Sequence, residues 1–198
     1  MNPNANQQGR AERTHIREAS PSDIPGIATA HVDSWQSAYR GIVRDAYLDS
    51  LTYDKCVRTW ERRLAGDGAP FLYVAVGPGE GIVGFAAGGP ERKGGTDFAG
   101  ELYAVYLRPG FERRCIGRRL VAAVARRLLR EGISSMLVWV LRDNPARGFY
   151  EALGGRRVRE RVVVIGDEEL VELAYGWDDI QTVAAAGQDE EADEDARA

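Results

Sequence analysis

Between Leu102 and Leu120 the chain reads LYAVYLRPGFERRCIGRRL, and no other stretch restricts the fold as much. Tyr103 to Leu107 is apolar, with aromatic and β-branched side chains, the composition of a buried strand. Pro109-Gly110 ends it, because proline has no N–H to give a ladder and glycine turns easily. Arg113, Arg114, Arg118 and Arg119 then crowd around Gly117, where helical spacing of apolar residues begins. A helix starting there exposes unpaired N–H groups at the positive end of its dipole, which suits a phosphate or diphosphate. A solvated arginine cluster on an ordinary strand–loop–helix satisfies the same pattern, so this stretch alone leaves both readings open.

Charge narrows the partners. The 198 residues carry a formal net charge of −4, and six acids lie within DEEADED at 189–195. The remainder is therefore close to neutral or slightly basic, which does not indicate a nucleic-acid surface. The local basic cluster asks instead for a small anionic partner or water. Cys56 and Cys115 are the only cysteines, too few for a disulfide framework and in keeping with a reducing cytoplasm. The two histidines and two cysteines are not at metal-ligand spacing, so no metal is expected. The opening MNPNANQQGRAER has no apolar run, so neither a secretion signal nor a membrane partner is expected. The expected organisation is a disordered segment at 1–13, one domain at 14–180 and an acidic disordered tail at 181–198.

Periodicity supplies the elements. A short strand at Thr14–Arg17 precedes a helix with Ile24, Ile27, Ala28, His31 and Trp35 on one face, His31 reading as packed. A second helix runs from Tyr53 to Leu64, and strands at Phe71–Val76 and Ile82–Ala87 form a hairpin. A loop at Gly88–Gly95 leads to a strand at Asp97–Leu107 and the basic loop. Ile116, Leu120, Val124 and Leu128 line the next helix, and Ser135–Leu141 reads as a central strand. A short helix from Asn144-Pro145 and a last hairpin around Gly166-Asp167 complete the order. The fold class is α/β, a mixed, mostly antiparallel sheet of about seven strands flanked by about four helices.

This order, the basic strand–loop–helix, and the run Asn-Pro-Ala-x-x-Phe-Tyr-Glu-x-Leu-Gly at Asn144–Gly154 together resemble the GNAT superfamily of acetyl-CoA-dependent N-acetyltransferases. The resemblance spans roughly Thr14 to Trp177. Trp35-x-x-Ala38-Tyr39-Arg40-Gly41 and Ala174-Tyr175-Gly176-Trp177 are similar to a bacterial small-molecule branch. The resemblance implies that acetyl-CoA is the cosubstrate. Its diphosphate would sit on main-chain N–H groups from Arg113 to Arg118, including Arg114, Cys115 and Gly117. Its pantetheine arm would run beside backbone groups of Val105 and Leu107, with Asn144 helping to hold it. Tyr150 matches the family's acid for the departing thiolate. Asn144 as a plain helix cap and Tyr150 as a core aromatic are the alternatives.

Amide formation also needs a base for the amine and donors for the oxyanion. Glu101, which opens the strand beside the thioester, is the choice of base, with an ordinary strand-end carboxylate as the alternative. Trp35, Tyr39 and Tyr106 are the aromatic candidates for the acceptor, a small-molecule or peptide amine whose identity the sequence does not name. A homodimer is an open option. Two positions depart from the family's loop, Gln/Arg-x-x-Gly-x-Gly/Ala: Glu112 stands at the first and Cys115 at the first glycine. A carboxylate about 5 Å from a diphosphate repels it by up to about 3 kcal/mol before screening. The expected function is transfer of acetyl from acetyl-CoA to a primary amine by direct attack. The rival is an acyl-CoA-binding regulatory domain of the same fold with weak or no turnover because of Glu112 and Cys115.

Overall fold

Strands with alternating or wholly apolar faces assemble into one sheet of seven: β1 (His15–Glu18), β2 (Phe71–Gly77), β3 (Gly81–Pro90), β4 (Gly100–Leu107), β5 (Met136–Leu141), β6 (Arg156–Ile165) and β7 (Glu168–Trp177). The computed structural model describes residues 14–186. The strand order is β1-β2-β3-β4-β5-β7-β6. Turn chemistry sets the hairpins. Gly166 and Asp167 both adopt positive φ, 59° and 63°, and join Ile165 to its partner Glu168. A two-residue loop with both residues left-handed matches the twist of the flanking strands.

Six α-helices accompany the sheet among the described residues: α1 (Ile24–Ala38), α2 (Asp45–Ser50), α3 (Tyr53–Ala65), α4 (Ile116–Arg130), α5 (Arg147–Ala152) and α6 (Gln181–Ala185). Ser20 and Asp23 start the first of them, the Asp23 carboxylate accepting from the Ser20 backbone N–H at 2.8 Å. Side-chain alternation on β2 divides the core. Leu72 and Val74 pack under α1 and α3 with Ile27, Trp60 and Phe85. Tyr73 and Ala75 face the other way, toward Leu120, Val124 and Leu128 of α4.

Three expectations need correction. The loop expected from Gly88 belongs to β3 as far as Pro90, because Gly88, Gly89 and Pro90 stay paired with Leu102, Glu101 and Gly100 of β4, and a Cβ on Gly88 would stand 2.4 Å from Val124 Cγ1. Correspondingly, β4 begins at Gly100 rather than Asp97. About four helices become six, since α2 and α6 each cover less than two turns and leave little periodicity to read. The tail expected from 181 starts as α6. Val183 and Ala184 are buried, Ile180 N–H donates to Ser134 O at 2.9 Å, and Arg126 Nη1 donates to Ala184 O at 3.0 Å. The domain therefore continues through α6. The segments 1–13 and 187–198, expected to be disordered, lie outside the described residues. Among the described residues no helix is long and apolar enough to cross a membrane.

One pairing positions everything that follows. β4 and β5 are parallel, joined by the α4 crossover, and pair only over Gly100–Leu102 with Met136–Val138. Beyond these residues they part. β4 stays paired with β3 as far as Leu107, and β5 with β7 as far as Leu141. The sheet is thus split down its middle, and among the described residues the β5-facing edge of β4 has no strand partner from Tyr103 on.

Candidate active site

The loop after β4 closes one end of the split. Gly110 turns at φ 88°, and Glu112 Oε2 folds back to accept its N–H at 2.8 Å. Arg113 and Cys115 are left-handed, at φ 60° and 57°, and Cys115 is the N-cap of α4. Left-handed residues interspersed with right-handed ones turn successive N–H groups toward one concave side. Each non-glycine residue held there costs on the order of 1–2 kcal/mol. Cys115 occupies the position where glycine was expected and takes the conformation that glycine would make easy. Gly117 packs beside Phe149 of α5, where a Cβ would stand 3.4 Å from Phe149 Cζ, an ordinary contact distance.

Past the loop lies a cleft of ≈ 710 Å³. One wall is β4 from Tyr103 to Leu107, and the other is Val138–Val140 of β5 with Phe149 and Tyr150 of α5. Asn144 is buried and its Oδ1 accepts from Ala146 N–H at 2.8 Å, which fixes the side chain in the turn before α5. Its amide faces the Tyr39 hydroxyl. Tyr150 is buried, and burial, with a smaller contribution from the Tyr39 charge, raises its pKa far above that of an ordinary phenol. Its hydroxyl is therefore protonated throughout the neutral range. Burial likewise pushes Tyr106 up, and Tyr39 adds to the effect.

A second cavity, ≈ 380 Å³, opens between the sheet and the α1–α3 layer. Its wall contains His31, Trp35 and Trp60 from the helices and Trp139 from β5. Trp60 Nε1 donates to His31 Nδ1 at 3.2 Å, which leaves the histidine proton on Nε2. The ring stacks on Tyr106 at 5.1 Å between centroids. Burial lowers the His31 pKa to about 4, with a smaller contribution from the Arg63 charge, so the ring is neutral at pH 7. Glu101 is 2% exposed. Arg92 takes both its oxygens, Nη2 to Oε1 at 2.5 Å and Nε to Oε2 at 3.1 Å, and the Arg92 N–H adds a third bond at 3.2 Å.

Comparison with known proteins identifies the family and the fold. The model of the FR47-like protein family matches residues 93–164, the span from the approach to β4 through most of β6. YuaI of Bacillus subtilis (strain 168), an uncharacterized N-acetyltransferase, is 40% identical over 169 residues, covering 85% of this chain and 95% of that protein. The chain belongs to the GNAT superfamily of N-acetyltransferases. Solved structures share the fold. A GCN5-related N-acetyltransferase from Rhodopseudomonas palustris superposes with a TM-score of 0.66 at 20% identity, over 83% of this chain and 95% of that one. The PaiA N-acetyltransferase of Thermoplasma acidophilum, solved with coenzyme A, gives 0.62 at 20% identity, over 81% and 98%.

The residues singled out in the sequence of this N-acetyltransferase divide between the two cavities. Val105, Leu107, Arg113, Cys115, Gly117, Arg118, Asn144 and Tyr150 line the cleft. Trp35 and Glu101 line the aromatic pocket, while Tyr39 and Tyr106 line both. Arg114 is the exception: it does not line the cleft, and its guanidinium stands over the Phe111 ring at 5.2 Å instead. Sequence reasoning missed Tyr103, Trp139, Arg63, Arg92, Arg161 and Glu172. Only one pair among them had a readable signal. Counting back from the Gly166-Asp167 turn sets Arg161 opposite Glu172, and the two are bonded at 2.7 Å.

Proposed function

We propose that this protein moves an acetyl group from acetyl-CoA to a primary amine by direct attack in a ternary complex. The observation that carries the reading is the split between β4 and β5, with the left-handed loop of α4 at one end and the buried Tyr150 hydroxyl on its wall. In this reading the diphosphate takes N–H groups of the loop and the positive end of α4. The pantetheine arm extends the sheet along the unpaired β4 edge at Val105 and Leu107, as added strands do elsewhere. Asn144 offers its amide to the arm while its side-chain carbonyl stays on Ala146 N–H. The acyl group then lies at the Ala104–Tyr106 stretch that both cavities share, so an amine from the aromatic pocket meets it there.

The chemistry follows from the protonation states. The acceptor arrives as an ammonium and must lose a proton before its nitrogen can attack. Both Glu101 oxygens are engaged by Arg92, so Glu101 takes that proton through a water rather than by contact. Attack forms the C–N bond and places negative charge on the carbonyl oxygen, which a backbone N–H of β4 stabilises. As the C–S bond breaks, the Tyr150 hydroxyl donates to the sulfur. Full transfer from a phenol of raised pKa to a thiolate with a pKa of about 8.5 is uphill. Tyr150 therefore acts mainly by stabilising developing charge, and the nitrogen's second proton completes the thiol.

Thiol release from acetyl-CoA, measured with and without a panel of primary amines, tests the reading. Release that depends on an amine, with an acetylated amine detected by mass, supports it. Binding of acetyl-CoA without release from any amine favours the regulatory alternative. Glu112, which lines the cleft, and the left-handed Cys115 are the features that speak for that alternative.

A further inference from the structure

The aromatic pocket has an unbalanced charge. Three guanidinium groups line it, Arg63 of α3, Arg92 before β4 and Arg161 of β6, against two carboxylates, Glu101 of β4 and Glu172 of β7. Both carboxylates are already engaged. Arg92 holds Glu101 by two side-chain bonds and lies 4.0 Å over the Tyr103 ring. Arg161 holds Glu172 at 2.6 Å and lies 3.8 Å over the Trp139 ring. Arg63 is left over. Its guanidinium stands 5.2 Å from the centre of the Trp60 ring, and among the described residues it has no carboxylate partner. Desolvation lowers its pKa, and the charge of Arg92 lowers it further, so two cations face one region. His31 adds no charge at neutral pH.

We infer that the acceptor is a small primary amine that also carries an anionic oxyacid group, received by Arg63 and Arg92 while the amine points to the wall shared with the cleft. This inference rests on the acetyl-transfer reading and names the substrate class for the same site. A guanidinium offers a planar fork that matches a carboxylate or phosphonate. Arg63 belongs to the aromatic pocket alone, together with Gly68 and Pro70, whereas Tyr39, Ala104, Tyr106 and Val140 border both cavities. An acceptor with its anion at Arg63 therefore directs its other end toward the acyl group. Tyr103 and Trp139 border both cavities as well, each with a guanidinium over its ring. A diamine is the competing class, because rings and carboxylates also attract cations. Arginine engagement of both Glu101 and Glu172, with one cation to spare, disfavours it.

The test compares matched acceptors. α-Amino acids and straight-chain ω-amino acids are assayed for thiol release beside their carboxamides, and beside diamines of similar length. The expected result is a kcat/KM at least about tenfold higher for the best acid than for its amide, the scale of one charge-assisted contact. Arg63→Ala lowers that value about tenfold or more, chiefly through KM, and leaves the amide unchanged within about twofold. Arg63→Glu moves the preference toward the diamine. Equal rates for acid and amide, a wild-type preference for the diamine, or an Arg63→Ala loss shared by acid and amide overturns the inference. If no amine releases thiol, the transfer reading fails, and thermal shift with the same compounds decides the pocket by itself. Stabilisation by an acid and not by its amide, lost in Arg63→Ala, upholds the anion subsite. Equal or absent stabilisation overturns it.

Discussion

The cleft between β4 and β5 is walled by a strand edge, a loop and apolar side chains, whereas the pocket beneath α1 and α3 is walled by rings and ion pairs. The cleft draws most of its lining from three neighbouring pieces of chain, 103–118, 138–140 and 144–153. The pocket draws on α1, α3, β3, β4, β5, β6 and β7. A backbone surface recognises what every coenzyme thioester shares, a diphosphate and an amide-bearing arm, and tolerates changes of side chain. A surface made of side chains recognises what differs between acceptors. The cleft should therefore be robust to substitution at most positions, and the pocket sensitive.

Tyr150→Phe probes a cleft residue whose role rests on its side-chain hydroxyl. It should lower kcat about 100-fold while the KM for acetyl-CoA stays within about twofold. Steady-state kinetics with saturating amine gives the answer, and an unchanged kcat would mean that packing alone explains this tyrosine. Glu101→Gln probes the pocket. It leaves the Arg92 guanidinium with a weaker partner, and because that side chain is 47% exposed it can partly resolvate. The expected cost is about 2 kcal/mol, below that of breaking a fully buried pair. Urea denaturation would show it as a lower midpoint at constant slope.

Glu112→Gln returns the comparison to the cleft. Removing the carboxylate should tighten acetyl-CoA binding by up to about tenfold at low salt, fading as salt is added. Calorimetry at two ionic strengths checks this. Equal affinities at low salt would mean that turning the carboxylate onto Gly110 N–H has already removed it from the ligand. The pocket also predicts a pH dependence of stability. Because the native His31 pKa of about 4 lies below the ordinary 6.5, the unfolded chain binds a proton between those values that the native protein does not. Stability should therefore rise with pH across that window, by at most about 1.4 kcal/mol per unit from this group, and be flat above it. His31→Gln should remove this contribution. If unfolding curves from pH 4 to pH 7 show the same slope for both proteins, the ring is better solvated than its contacts suggest.

Much of this architecture could be read without coordinates. The α4 stripe of Ile116, Leu120, Val124 and Leu128, the apolar β4 and β5, and the hairpin at Gly166-Asp167 follow local rules of period and turn chemistry. The cleft residues followed with them, because a loop and the helix it opens are contiguous in sequence. The Arg114 side chain leaves the cleft for the Phe111 ring, a direction the sequence does not encode, whereas the expectation for this residue concerned its main-chain N–H. The pocket was mostly hidden. Trp35, Tyr39, Tyr106 and Glu101 were visible as residue types, but no local pattern in the sequence sets Arg63 and Arg92 apart from the other arginines.

What the sequence determined by itself was therefore the order of elements and the basic strand–loop–helix at 102–120, since both depend on interactions between residues close in the chain. Only the tertiary structure decided that β4 and β5 part after three paired residues, that Glu101 is claimed by Arg92, and that Arg63 has no carboxylate partner among the described residues. Those outcomes depend on where seven strands and two helices converge, and charge balance in a cavity is a sum over groups that no local pattern brings together.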